Sequence, residues 1–328
     1  MFAVAEDQKC TLPPQAERPL VTFALFAYNQ EKYIREAVEG AFAQTYEPLE
    51  IILSDDCSTD RTFEIMEEMA AGYQGPHLVR LESTPTNLGS ETFGLRVSSL
   101  LAQANGELIV LGAGDDISYP DRTSLLFKTW NDNLRKAVCI HSKVQPINEE
   151  GEPFGPEVGD NRAGGLSLAK YILQDGYGLI GASNAISKSL MERFPPLPDV
   201  LLLEDGALGF RALLSDGIHF VDQALVKYRR HDGNMTNQNG LEGESAFRKI
   251  VRNTIAQHLC YLGDYLLKQK KIDKKVIKAI SKRLNEIATV SDLHEGNVIK
   301  RCKATIAYSK RLSFKRRVWL LLHTIGLI

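Results

Sequence analysis

The sequence predicts an α/β fold, a mostly parallel sheet flanked by helices, with a helical appendage at the C-terminus. Three observations carry this prediction. Apolar runs of strand length alternate with segments of helical periodicity through the first part of the chain. Two acidic clusters, Ser54 to Asp60 and Gly112 to Asp116, each follow such a run, which brings paired carboxylates to strand carboxyl ends, where open α/β sheets bind ligands. Beyond Leu241 the apolar spacing is helical.

Leu20 to Ala27 is apolar almost throughout, as expected of a strand covered on both faces. Asn29 then offers a cap to a helix whose Tyr33, Ile34, Ala37, Val38, Ala41 and Phe42 share a face. After the Pro48 break, Leu49 to Leu53 forms a second strand leading into the first acidic loop. Asp60 caps the next helix, which starts near Arg61 and presents Phe63, Met66, Met69 and Ala70 on one side. A third strand, Leu78 to Glu82, passes through the Asn87-Leu88-Gly89 turn into a helix over 91–104, and Glu107 to Leu111 forms a fourth strand. Gly112 and Gly114 are expected to let the second acidic loop turn tightly.

From Ala137 the pattern loosens: a strand at Val138 to His141, a Gly/Pro-rich stretch from Gly151 to Gly165, and an acidic entry to a helix ending at Leu214. Two strand-like runs follow, Ile218 to Val221 and one ending at Tyr228 to His231. The spacing of Ile272, Val276, Ile277, Ile280, Leu284 and Ile287 is helical, with lysines on the opposite face.

Composition narrows the function classes. Lys and Arg number 39 against 41 Asp and Glu, a net charge of −2 that gives no global attraction to nucleic acid. Cys10, Cys57, Cys139, Cys260 and Cys302 are far apart and odd in number, which suits neither a disulfide framework nor a zinc site and points to a reducing compartment. Residues 1–18 resemble neither a signal peptide nor an anchor. No apolar run is long enough to span a bilayer, but Lys310, Arg311, Lys315, Arg316 and Arg317 precede an apolar tail with Trp319. Such a tail either lies on an anionic membrane surface or packs on the domain.

In this order, Phe26-Ala27-Tyr28-Asn29, Gln44-Thr45-Tyr46 with Glu50, Asp55 to Asp60, Gly106-Glu107, Asp115-Asp116 with Pro120-Asp121-Arg122, and Glu204-Asp205 resemble the motifs of the family 2 glycosyltransferases. The resemblance covers about Pro19 to Asn234. It implies the GT-A (Rossmann-like) fold and divides the chain into a flexible lead-in (1–18), a GT-A domain (19–240, with nucleotide-binding half 19–122 and acceptor half 123–240) and a helical C-terminal region (241–328). It further implies inverting transfer of a sugar from a nucleoside-diphosphate donor to a glycan or lipid-linked acceptor, in cell-surface polysaccharide synthesis. The expected location is cytoplasmic, at the inner face of the membrane.

The resemblance also assigns roles. Phe26, Tyr28, Asn29, Asp55, Asp56 and Asp115 would contact the nucleotide, with Asp56 accepting a hydrogen bond from the base and Tyr28 stacking nearby. Asp116 and Asp115, joined by His231, would hold Mg²⁺ or Mn²⁺ against the diphosphate. Asp205 would be the general base and Glu204 would position the acceptor or the base. Arg229 or Arg230 would neutralise phosphate charge. The sequence departs from the family in two places. Arg96 sits in Phe93-Gly94-Leu95-Arg96-Val97-Ser98, off the usual phosphate-facing location, and is left out of the site. Cys57 stands where glycine is usual, acceptable if its φ is negative.

Two other classes compete. A sugar nucleotidyltransferase would show a Gly-rich loop with Arg and Lys near the N-terminus, and Phe26 to Gln30 has none. A silent sugar-nucleotide-binding or assembly protein would not need Asp115, Asp116 and Asp205, all present.

Overall fold

The computed structural model describes residues 12–87, 93–174, 179–199, 201, 203–231, 234, 244–269 and 271–292. The expected basic and apolar C-terminal tail lies outside them, as does Gly89 of the expected turn.

The βα alternation is present in the first half: β1 (Val21–Ala27), α1 (Ile34–Phe42), β2 (Leu49–Asp55), α2 (Thr62–Gly72), β3 (Leu78–Ser83), α3 (Phe93–Gln103) and β4 (Leu108–Ala113). Then come β5 (Ile117–Ser118), α4 (Arg122–Asp132), β6 (Cys139–Ile147), α5 (Leu168–Leu173), β7 (Ala185–Ser187), α6 (Lys188–Met191), α7 (Asp205–Leu213) and β8 (Ile218–Arg229). Two helices, α8 (Glu244–Lys268) and α9 (Lys274–Asp292), end the described chain. One eight-stranded sheet runs β3-β2-β1-β4-β7-β6-β8-β5. Its first four strands are parallel, and β7 is wedged antiparallel between β4 and β6. The two strand-like runs after Gly217 are one strand, β8, which pairs in parallel with β6 across a register shift at Ser142 to Val144.

Strand periodicity explains why both faces are buried. Val21, Phe23, Leu25 and Ala27 of β1 join one core with Ile34 and Val38 of α1, Ile65 and Met66 of α2, and Phe127 and Trp130 of α4. Ala24 and Phe26 face the other core, with Leu100 and Leu101 of α3, Phe210 of α7, Tyr261 of α8 and Ile280 of α9. The center of the α2 face is Ile65 and Met66 rather than Phe63. Because β1 pairs with β2 on one side and β4 on the other, the connections diverge there and leave a crevice beyond the carboxyl ends.

The opposite end of these strands is tied together by Glu50, which is fully buried. Its carboxylate accepts from Thr22 Oγ1 (2.6 Å), Asn105 N (2.9 Å), Asn105 Nδ2 (2.7 Å) and Arg80 Nη1 (3.0 Å). Burial alone would raise its pKa, but these donors bring it below the ordinary 4.5. Gly106 lies so close to β1 that a Cβ would sit 2.3 Å from Thr22 N. Glu50→Ala, which strands these donors, is expected to cost about 3 kcal/mol in urea denaturation at neutral pH. Since the folded pKa is depressed, this contribution is present above the ordinary 4.5 and fades on acidification.

Candidate active site

A cleft of about 490 Å³ lies at the carboxyl ends of β1, β2 and β4 and is completed by the entry to α7 and the end of β8. It brings together Phe26, Tyr28, Asp56, Asp115, Asp116, Glu204 and Asp205, all sequence-predicted site residues. Asn29, Asp55 and His231 are not in its lining.

The first acidic loop explains the difference between its two leading carboxylates. Asp55 is turned inward, accepting from Ser58 N (2.9 Å), Ser58 Oγ (2.5 Å) and Ser83 Oγ (3.3 Å). Asp56 is anchored through its backbone to Ala27 O (3.0 Å), and its carboxylate takes Thr84 Oγ1 at 3.1 Å. Asn29 does not cap α1. With φ 49° its side chain accepts from Thr59 N (2.8 Å) and pins the loop after β1 to the acidic loop. Asp60 takes the expected place at the helix entry, accepting from Thr62 N at 2.9 Å. Cys57 departs from expectation: its φ is +58°, so an L residue occupies the left-handed region at a cost of about 1 kcal/mol. Glycine is usual here for a conformational reason.

Three arginines hold the site, and sequence reasoning gave none of them its role. Arg229, almost fully buried, donates its backbone N–H to Asp116 Oδ1 (2.8 Å) and its Nε–H to Asp115 O (2.9 Å). Its guanidinium lies over the Tyr33 ring at 4.7 Å and donates to Glu149 O (2.7 Å). It organises the carboxylate pair and is buried behind it; Arg230, exposed and stacked on Tyr228 at 4.7 Å, is the one that lines the cleft. Arg122, fully buried, donates to Leu111 O (2.6 Å) and Ala182 O (2.7 Å), joining β4 to the opposite wall. Arg96, left out by its register, lines the cleft: it donates to Ser54 O (2.6 Å) and Ala27 O (3.0 Å), and its Nη1 is 3.9 Å from Asp56 Oδ2. The signal for it was its helical phase with buried Val97 and Leu100.

Gly112 and Gly114 do not adopt the left-handed region; close packing favours them. A Cβ at Gly114 would meet Gln30 Oε1 at 2.4 Å, and one at Gly112 would meet the Phe23 ring at 3.0 Å.

At the far wall, Glu204 is buried and Asp205, half-buried, opens α7. Burial pushes the Asp205 carboxyl up to about 6, against the bond from Gly206 N (2.7 Å). Burial and the Asp205 charge together push Glu204 up to about 8. The two carboxyls titrate as one coupled dyad raised toward neutral pH, Glu204 further than Asp205, and so are poised to accept a proton there.

Residues 22–194 match the family described as Glycosyl transferase family 2. The chain belongs to this family. An uncharacterised protein of Mycobacterium tuberculosis is 32% identical over 211 residues, 62% of this chain and 57% of the relative. An uncharacterised glycosyltransferase of Rickettsia typhi is 27% identical over 222 residues, 67% of this chain and 66% of the relative. The matches thus span less than two thirds of these relatives' length. S. aureus TarS shares the fold at TM-score 0.56 and 17% identity, over 94% of this chain and 49% of TarS. The mannosyltransferase PcManGT from Pyrobaculum calidifontis, solved with GDP-Man and Mn²⁺, does so at TM-score 0.53 and 14% identity, over 96% of this chain and 87% of the other. The fold is GT-A.

In this family 2 chain, Asp116 bears on whether a divalent cation fits. One of its oxygens, Oδ2, is buried without a hydrogen-bond partner among the described residues. Burial, and then the neighbouring Asp115 charge, raise its pKa well above the ordinary carboxylate range, against the bond from Arg229 N and the charges of Arg122 and Arg229. An oxygen so placed suits a cation. His231 Nε2 instead pairs with Asp115 Oδ2 at 2.9 Å, and a metal would have to replace that contact. Among the described residues no three His, Cys, Asp or Glu side chains form a ready-made cage. The residues thus fit a cation held by one or two carboxylates and completed by ligand oxygens and water, the habit of Mg²⁺ and Mn²⁺ at diphosphates.

The dyad gives a pH prediction. Because the folded pKa of Glu204 is raised, protons bind the native state more tightly, and stability falls as pH rises from about 4.5 to about 8. Glu204→Gln is expected to flatten that fall and to raise the melting temperature at pH above 8. A variant that melts with the same pH profile as the parent would contradict it.

Proposed function

We propose that the protein is an inverting glycosyltransferase that moves a sugar from a nucleoside-diphosphate donor to a glycan or lipid-linked acceptor in cell-surface polysaccharide synthesis. The observation that supports this most is that Asp56, Asp115, Asp116 and Asp205 share one cleft at the switch point of the sheet. TarS and PcManGT, which share the fold, were solved with UDP-GlcNAc and with GDP-Man.

In this reading residues 19–122 hold the donor and 123–240 the acceptor, with 241–328 as a helical C-terminal region. Phe26 and Tyr28 contact the base, and Asp56, steadied by Thr84 and Arg96, accepts its hydrogen bond. Asp115 faces the ribose or the metal, and Asp116 presents its free oxygen to the cation. A bound Mg²⁺ or Mn²⁺ would neutralise charge gathering on the departing diphosphate. Arg230 adds a positive charge at the same mouth. Asp205 takes the proton from the acceptor hydroxyl as its oxygen attacks the anomeric carbon opposite the leaving group. Glu204, which burial and the Asp205 charge bias toward its protonated form, limits the negative charge facing the attacking oxygen. Because the new bond forms on the face opposite the one that breaks, with the diphosphate leaving, the single displacement inverts the anomeric center.

Water can replace the acceptor slowly, so the test needs no acceptor. The sugar first released from an α-linked donor, followed by proton NMR, is expected to be the β-anomer; release of the α-anomer would contradict inversion.

A further inference from the structure

Charge is distributed unevenly along the chain. Residues 268–317 hold sixteen lysines and arginines against four acids, a charge of +12 in a chain whose total is −2. Among the described residues of this segment, Lys268, Lys271, Lys274, Lys275 and Lys278 gather around the turn from α8 to α9. The nearby acids are committed elsewhere: Glu286 pairs with Lys282 and Arg283, and Asp273 accepts the backbone N–H of Lys275 at 2.8 Å.

Helical geometry sets these lysines apart from the core. At 100° per residue, positions 274, 275, 278 and 282 fall within an arc of about 100°, while Val276, Ala279, Ile280 and Ile287 on the remaining side are buried. The same turn exposes two aliphatic side chains, Leu267 at 61% and Ile272 at 44%. Ile272, expected inside the apolar face of the helix, precedes α9 and points to solvent instead. Lysines around protruding aliphatics are the composition of an interfacial anchor.

We propose that the α8–α9 corner docks the protein on an anionic phospholipid surface. Leu267 and Ile272 enter the headgroup boundary, and Lys271, Lys274, Lys275 and Lys278 rest against lipid phosphates. Residues 293–328 are a poor alternative occupant, since they carry eight lysines and arginines against the single acid Glu295 and would be repelled by the corner. Nucleic acid would use the lysines but gain nothing from burying Leu267 and Ile272. The inference stands independently of the transfer reaction.

The test is co-sedimentation of the full chain with phosphatidylcholine vesicles with and without phosphatidylglycerol. Binding is expected only with the anionic lipid. Each near-surface lysine strengthens partition about fivefold, so Lys271→Glu, Lys274→Glu and Lys275→Glu combined should weaken it by at least about 100-fold. Leu267→Ser with Ile272→Ser should weaken it about tenfold, and both variants should melt as the parent does. Unchanged vesicle binding by the charge-reversed protein overturns the proposal. So does an RNA-binding parent whose vesicle binding is indifferent to the Leu267 and Ile272 changes.

Discussion

Asp205→Asn is expected to lower kcat by about 10³-fold or more while donor affinity changes by less than about threefold. The substitution keeps the shape of the α7 entry, and an amide oxygen still accepts from Gly206 N, which bonds Asp205 Oδ1 at 2.7 Å. What disappears is the carboxylate of the dyad that burial raises least, Glu204 being pushed up to about 8 and Asp205 to about 6. The parent's rate should accordingly rise with pH through about 6, where Asp205 loses its proton. Single-turnover kinetics beside donor titration separate the two effects. Equal loss of binding and rate would remove Asp205 from the base role.

The second large effect is at Asp116. Asp116→Asn retains an oxygen for Arg229 N, at 2.8 Å from Oδ1 in the parent, and removes the charge. Nucleotide affinity in the presence of Mn²⁺ should fall by roughly 100-fold, and affinity in chelator should be unchanged. The same variant should melt higher than the parent without metal, because it no longer buries an ionisable carboxyl beside the Asp115 charge. Undiminished metal dependence would show that the cation binds elsewhere.

The sequence made the strands and the acids readable for the same reason. Both-face burial writes mostly apolar runs at Val21–Ala27, Leu49–Asp55 and Leu108–Ala113, broken by Thr22, Glu50 and the polar end of the second at Ser54 and Asp55, and the carboxylates stand at the strand ends or just after them. The supporting residues left no local trace. Arg229 reaches Asp116 across 113 positions and Arg122 reaches Ala182 across 60, so only the folded chain reveals which arginine is structural and which faces the cleft. Three-residue β7 is too short for periodicity to register. Gly112 and Gly114 are glycines because of neighbours from β1 and the loop after it, not because of their own turn. Cys57 shows the converse: the residue type led to an expected negative φ, yet the φ is left-handed, a local rule broken beside the cleft-lining Asp56.

The central claim is that the cleft between Asp56 and Asp205 holds a nucleoside diphosphate through a divalent cation. Calorimetric titration with UDP, GDP and dTDP, each with Mn²⁺, with Mg²⁺ and with chelator, tests it most directly. Tight binding of one nucleotide that is lost on chelation is the predicted result; no binding of any of the three under all conditions would contradict the account.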